Sequence, residues 1–116
     1  MNYEEVRTWL ESKPPDEIVD SILKGACNNC VLANFLKNEK GVVFPHVGSH
    51  EYNAENGIGK YTPLPRWAVF YVNLVDVFIS RNLRVTAEDG LRLLNEAINL
   101  EISEISSMPE YEASML

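Results

Sequence analysis

Apolar positions at the start of the chain recur with the period of an α-helix. Val6, Trp9 and Leu10 are spaced i, i+3 and i+4 within residues 3–12, and polar residues separate them. The Lys-Pro-Pro sequence at 13–15 ends the pattern, because a residue that precedes proline avoids the helical region. We therefore predict a short first helix over residues 3–12.

A second helix is predicted directly after the prolines. Pro15 is compatible with the first turn of a helix, and Asp16 and Glu17 are favoured at its positive end. Gly25 is a natural helix terminator. The residues predicted to face the core are Ile18, Val19, Ile22 and Leu23.

A third helix is predicted over residues 30–39. Asn28 or Asn29 can accept hydrogen bonds from its first turn, and Gly41 can end it. Its predicted buried face consists of Leu32, Phe35 and Leu36.

Residues 42–62 have the pattern of a small antiparallel sheet. The stretch 42–47 is rich in valine, but Pro45 restricts it to a sheet edge. Asn56-Gly57 is the preferred dipeptide of a two-residue hairpin turn. The segment therefore predicts two or three short strands.

The most apolar stretch of the chain is residues 64–80. Its polar residues fall on a narrow strip of a helix, and the remaining circumference is apolar, which is typical of a helix nearly surrounded by protein. The stretch is shorter than the roughly 20 uninterrupted apolar residues of a membrane span. We predict that it forms the central core helix. Its predicted buried residues are Trp67, Phe70, Tyr71, Leu74 and Phe78, and its polar strip is Arg66, Asn73, Asp76 and Ser80.

The last helix is predicted to begin at Ala87. Thr86 precedes it and Asp89 follows three residues later, which is a variant of the capping box. Residues 106–116 predict a loosely ordered acidic tail. The apolar stripe of the helix is Leu91, Leu94, Ile98, Ile102 and Ile105.

Together these elements predict an α+β fold that is mainly helical, with four to five helices around the central helix and one small sheet. The length of 116 residues and the apolar fraction of 46% correspond to a single domain over residues 1–116. A core of this size needs no metal or disulfide, because obligatory structural zinc is typical of smaller domains.

Composition limits the partners that the chain can bind. A net charge of −7, from 17 acidic and 10 basic residues, disfavours nucleic acid and anionic membranes, which both attract basic surfaces. Two cysteines and the absence of an apolar leader indicate the cytoplasm. The acidic residues are either solvated helix faces or an acidic pole that docks on a protein with a basic surface. They crowd the start of the chain (Glu4, Glu5, Glu11, Asp16, Glu17, Asp20) and its end (Glu101, Glu104, Glu110, Glu112).

Both cysteines and both histidines fall within residues 27–50. Their spacing, C-x2-C-x15-H-x3-H, lies within the range of zinc-binding fingers. The order of elements is inverted relative to an ordinary finger, because here a helix follows the cysteines. We expect no metal or other cofactor, and we expect Cys30 to be mostly buried, in or just before the first turn of its helix. The candidate ligands of the alternative zinc site are Cys27, Cys30, His46 and His50.

Other chemical signatures are weak. A C-x-x-C pair at a helix start is typical of redox proteins, but there it follows a buried strand. A Cys–His hydrolase requires an orienting third group and an oxyanion hole, which the sequence does not single out. No phosphate-binding glycine loop or paired-carboxylate signature is present in the sequence. The sequence therefore predicts no enzymatic activity and no catalytic residues.

Three stretches of the chain, RTWLESKPPDEIV, CVLANFL and LPRWAVFYVNLVD, resemble a group of small uncharacterised bacterial and phage-type proteins. The layout of that group is W-L-x-x-x-P-P, C-[PV]-[IL]-A-x-[YFW]-L and L-P-x-W-x-x-x-F-V. The resemblance covers residues 5 to 80 and includes Cys30, but not Cys27 or the histidines. No activity is assigned to the group, so the resemblance implies a layout and no function.

The sequence predicts a non-enzymatic protein-binding module that acts through an acidic surface, as an inhibitor or accessory factor of phage or host-defence type. The alternative is a zinc-binding protein that uses Cys27, Cys30, His46 and His50. The metal content of protein purified without chelator distinguishes the two.

Overall fold

The computed structural model describes residues 1–21, 30–43, 45–53 and 61–107. In these residues, four helices and two antiparallel pairs of short strands form a mainly helical α+β fold, which confirms the predicted fold class. None of these helices is both long and apolar enough to cross a membrane. The elements in chain order are α1 (Tyr3–Glu11), β1 (Ile18–Ser21), α2 (Val31–Lys40), β2 (Glu51–Tyr52), β3 (Thr62–Pro63), α3 (Arg66–Asn82), β4 (Arg84–Thr86) and α4 (Ala87–Ser107).

The two longest helices, α3 and α4, pack against each other as an antiparallel pair. At one end Arg66 of α3 forms an ion pair with Glu104 of α4, with an N–O distance of 3.0 Å. At the other end the guanidinium of Arg92 lies 5.3 Å from the centre of the Phe78 ring. The short strand β4 connects the two helices and sets them side by side.

Three helices meet at Gly90 of α4. A side chain at this position would begin 3.3 Å from Leu10 of α1 and 3.3 Å from the Tyr71 hydroxyl of α3. That hydroxyl donates a hydrogen bond to the Gly90 carbonyl oxygen at 3.0 Å. Burial, with smaller contributions from Cys30 and Asp20, raises the pKa of the Tyr71 hydroxyl, which therefore stays protonated.

The predicted second helix is wrong over the residues that the structure describes. Ile18–Ser21 forms strand β1, which is antiparallel to β4. The Glu17 carbonyl oxygen accepts a hydrogen bond from Ala87 N–H at 2.8 Å, and the Pro15 carbonyl oxygen accepts one from the next N–H of α4 at 3.0 Å. These pairings with a distant part of the chain outweigh the local helix signal. Ile22, Leu23 and Gly25 lie outside the described residues.

Helix α2 agrees with the prediction in extent, but its cap differs. The N-cap is Cys30, whose Sγ accepts a hydrogen bond from Ala33 N–H at 3.4 Å, in place of the asparagines predicted for this role. Gly41 ends the helix in the left-handed conformation, as predicted. Asn34 connects α2 to β1, because its side chain donates a hydrogen bond to the Val19 carbonyl oxygen at 2.7 Å.

The predicted small sheet is present in a shorter form. Strands β2 and β3 are antiparallel, and Val47 forms a single bridge with Tyr52. The predicted strand over residues 42–47 is thus reduced, where it is described, to one pairing position. Pro45 contributes to this result, since it cannot donate to a strand ladder. Phe44 and the predicted turn at Asn56-Gly57 lie outside the described residues.

Helix α3 carries the predicted apolar surface, but it is less enclosed than predicted. Trp67 and Tyr71 are buried, whereas the other three residues of the predicted buried set are partly buried. Val77 is 55% exposed. Because α4 covers mainly one side of α3, the opposite side faces solvent. The predicted polar strip is exposed at Arg66, Asn73, Asp76 and Ser80.

The N-terminus of α4 confirms the predicted capping box. Thr86 Oγ1 accepts a hydrogen bond from Asp89 N–H at 3.2 Å, and an Asp89 carboxylate oxygen accepts one from Thr86 N–H at 3.3 Å. Together with the carbonyl oxygens of Pro15 and Glu17, this arrangement satisfies N–H groups that have no partner within the helix.

The apolar stripe of α4 becomes more exposed toward the C-terminal end of the helix. Leu94 is fully buried, whereas Ile102 and Ile105 are 57% and 43% exposed. The helix continues to Ser107, and residues 108–116, the greater part of the predicted tail, lie outside the described residues.

The residue that ends α3 has a strained backbone. Leu83 is in the left-handed conformation, with φ of 67°, and its side chain is 58% exposed. Glycine adopts this conformation without the steric cost of about 1–2 kcal/mol that a Cβ atom brings. We expect Leu83→Gly to be more stable than Leu83→Ala by about 0.5–1 kcal/mol, because the greater unfolded-chain entropy of glycine offsets part of the gain. Urea titration measures this difference. Equal stability of the two variants would contradict the claim that the backbone at Leu83 is strained.

Candidate functional site

A cleft of about 430 Å³ lies between α1 and α2. Its volume is within the range of pockets that bind small ligands or single side chains. The lining comes from α1 with its flanking residues and from the C-terminal half of α2. It consists of Asn2, Glu4, Glu5, Thr8, Trp9, Ser12, Phe35, Glu39 and Lys40.

A capping box fixes the α1 wall of the cleft. The Asn2 side-chain oxygen accepts a hydrogen bond from Glu5 N–H at 2.9 Å, and a Glu5 carboxylate oxygen accepts one from Asn2 N–H at 3.3 Å. Carboxylates are favourable in this first turn, because the helix N-terminus carries a partial positive charge. The apolar face of α1 is buried in the core, which leaves Glu4 and Thr8 exposed along the cleft.

The floor of the cleft is aromatic. The rings of Trp9 and Phe35 pack edge to face, with their centroids 5.7 Å apart, and both side chains are buried. The Lys13 ammonium lies 4.9 Å from the centre of the Trp9 ring. Ser12 Oγ donates a hydrogen bond to the Trp9 carbonyl oxygen at 2.6 Å, which fixes the end of α1. The floor thus joins α1 to α2, and the polar walls stand on either side of it.

The lining of the cleft is negatively charged. Among the lining residues, Glu4, Glu5 and Glu39 contribute three carboxylates and Lys40 contributes one ammonium group, and the Lys13 ammonium lies over the Trp9 ring of the floor. Lys40 forms an ion pair with Glu5, and its hydrogen bond lowers the pKa of the Glu5 carboxyl. Glu4 and Glu39 are exposed at the rim. The lining therefore carries more negative than positive charge.

Some of the acidic residues at the two ends of the chain lie far apart, and Glu110 and Glu112 lie outside the described residues. Asp16 and Glu17 belong to the segment whose carbonyl groups cap the N-terminus of α4. Glu101 and Glu104 lie about 20 Å further along the same helix, at 1.5 Å per residue. Glu17 and Glu104 also form ion pairs with basic neighbours. The cleft is a compact acidic surface, because its three carboxylates line one pocket.

The three candidate zinc ligands that the structure describes do not form a metal-binding group. Cys30 caps α2 and is partly buried, whereas His46 and His50 are exposed. The His46 ring packs against Tyr61, with centroids 5.9 Å apart. Among the described residues, no group of three or more His, Cys, Asp or Glu side chains can hold a metal ion. Cys27 lies outside these residues, so the four-ligand zinc site stays a prediction.

The sequence indicated the acidic face of α1 but not the second wall of the cleft. Lys40 and Glu5 are 35 residues apart, and no local pattern encodes their contact. One signal was available in the sequence. Trp9 lies one helical turn from Glu5, and Phe35 lies one turn from Glu39, so pairing the two rings places carboxylates on both sides.

The fold and the cleft together define a small, mainly helical α+β domain with an acidic cleft between two helices. In comparisons with known proteins, no family model, curated protein or solved structure matches the chain. The resemblance to small bacterial and phage-type proteins stays a prediction.

Proposed function

We propose that the protein is a non-enzymatic binding module that engages a basic segment of another protein through the cleft between α1 and α2. The observation that carries the proposal is the lining of the cleft, in which three carboxylates surround an aromatic floor. A module of this kind acts as an inhibitor or accessory factor of phage or host-defence type. We place its action in the cytoplasm, where a chain with two cysteines keeps its thiols reduced.

Two physical effects support a cationic partner. The three carboxylates lie around one cleft, so their attractions for an ammonium or guanidinium group add, and salt screens this attraction because the carboxylates are exposed or partly exposed. The net charge of −7 also steers basic partners toward the protein at long range. The same charge repels phosphate backbones, and the proposal therefore includes no direct contact with nucleic acid.

Neutralising the rim of the cleft should slow association with the basic partner. The partner is first captured from the native host on the immobilised protein and identified by mass spectrometry. We expect the double variant Glu4→Gln/Glu39→Gln to associate about three- to tenfold more slowly at low salt, and the difference should shrink as salt screens the charges. Stopped-flow measurements across a series of salt concentrations test both expectations.

The double variant Glu51→Gln/Glu96→Gln is the matched control. Both side chains are exposed and lie outside the cleft, and the change in net charge is the same. If the control slows association as much as the rim variant, only total charge matters and the cleft is not the binding surface. A normal rate in the rim variant would also contradict the proposal.

A further inference from the structure

One cation of the chain itself already occupies the cleft. The ammonium group of Lys40 is paired with the Glu5 carboxylate, and the two side chains remain 40% and 38% exposed. Glu5 is also held by its hydrogen bond from Asn2 N–H. The carboxylate is therefore fixed in place, and the ammonium on its long side chain is the movable member of the pair.

The stability of the fold does not require this ion pair. Exposed ion pairs contribute little to stability, because solvent screens them and because long side chains lose freedom when they form. A basic residue is favoured at the negative C-terminus of α2, but Lys37 in the same last turn already provides one. What distinguishes Lys40 from Lys37 is that Lys40 lines the cleft.

We propose that the Lys40 ammonium occupies the position that a cationic side chain of the partner takes on binding, so that Lys40 competes with the partner for the cleft. This inference rests on the proposed function. When the partner binds, its guanidinium or ammonium group forms an ion pair with the Glu5 carboxylate, and the Lys40 ammonium moves into solvent. The Lys40 side chain is 40% exposed, so its ammonium can move into solvent.

Because Lys40 has to be displaced, the binding free energy that a partner obtains from the cleft depends on the number of its positive charges. A partner that brings a single positive charge replaces one ion pair by another and gains little. A basic segment with several charges also meets Glu4 and Glu39 at the rim, so its net gain is larger. The occupant that we infer is an extended segment with more than one arginine or lysine.

The first test compares Lys40→Gln with Lys37→Gln. The probe is a peptide of alternating arginine and alanine with blocked ends, and isothermal titration calorimetry measures its binding to the wild-type protein and to both variants. We expect Lys40→Gln to bind the peptide about two- to fivefold more tightly than Lys37→Gln, which is the factor that corresponds to an exposed ion pair. Both variants lose one positive charge from the last turn of α2, so net charge does not explain the difference.

The second test follows the Glu5 carboxyl group itself by NMR titration. Lys40 lowers the pKa of Glu5, so Lys40→Gln should raise this pKa toward its ordinary value and Lys37→Gln should leave it unchanged. Adding the peptide to Lys40→Gln should lower the pKa again, because a guanidinium group takes the place of the ammonium.

Three results would overturn the inference. Equal affinities of the two variants for the peptide would mean that the change in affinity comes from net charge alone. Peptide binding to Lys40→Gln that leaves the Glu5 pKa unchanged would place the peptide outside this ion pair, and the proposed function would then depend on Glu4 and Glu39 alone. If neither variant nor the wild-type protein binds the peptide, the cleft is not a cation site, and the proposed function fails with the inference.

Discussion

Replacing Tyr71 with Ala should lower the free energy of unfolding by about 3–5 kcal/mol, the range for a fully buried aromatic side chain. Tyr71 is fully buried where α1, α3 and α4 meet, and its hydroxyl is bonded to the Gly90 carbonyl oxygen. The truncation leaves a cavity bordered by three helices, and movement of one neighbour cannot fill it. Urea titration monitored by circular dichroism measures the loss.

The adjacent residue, Phe70, provides the control for Tyr71. The sequence predicts that Phe70 is largely buried, but the structure shows it partly buried, with the Arg66 guanidinium 4.9 Å from its ring centre. Phe70→Ala should therefore cost only about 1–2 kcal/mol, since part of its apolar surface is already exposed in the folded protein. Losses of the same size in the two variants would mean that α3 is enclosed on all sides. Tyr71→Phe, which removes only the hydroxyl, should cost about 1 kcal/mol.

The helices were predictable because their signals are local. The spacing of Val6, Trp9 and Leu10 predicted α1, and the structure buries all three. The pair Thr86 and Asp89 predicted the start of α4, because a capping box involves residues only three positions apart. Signals of this kind act within one turn of chain and need no knowledge of the tertiary contacts.

Strand β1 shows where local signals fail. Ile18 and Val19 have the spacing of a helix face, and the acidic residues before them are typical of a helix start. The pairing of Ile18 with Thr86 depends instead on the N-terminus of α4, because its first N–H groups donate hydrogen bonds to the carbonyl oxygens of Pro15 and Glu17. A strand-pairing segment this far along the chain cannot be recognised from the local pattern of residues.

The candidate site was predictable only in part, for the same reason. Glu4 and Glu5 belong to the acidic set that the sequence singled out, and both line the cleft. Glu39 and Lys40 complete the site from α2, through a contact between residues far apart in the chain. Of the predicted acidic pole, Glu17 and Glu101 lie far apart, because the length of α4 separates them.

Gly90→Val should destabilise the protein by about 2–3 kcal/mol, although glycine is a weak helix former. A Cβ atom at Gly90 would lie 3.3 Å from a methyl carbon of Leu10 and 3.3 Å from the Tyr71 hydroxyl. Neither neighbour can retreat easily, because both side chains are fully buried and the hydroxyl is bonded to the Gly90 carbonyl oxygen. The additional methyl groups of valine force α1 away from α4, and the cost is read from urea titration.

Two variants separate this crowding from helix preference. Gly90→Ala adds only the Cβ atom, and its gain of about 1 kcal/mol in helix propensity should offset the close contacts, so its stability should stay within about 1 kcal/mol of the wild-type protein. Glu96→Val places the same β-branched side chain on the exposed face of α4 and should cost about 0.5 kcal/mol, the propensity difference alone. If Gly90→Val is no less stable than Glu96→Val, then α1 does not press against α4 at this residue, and the meeting point of the three helices lies elsewhere.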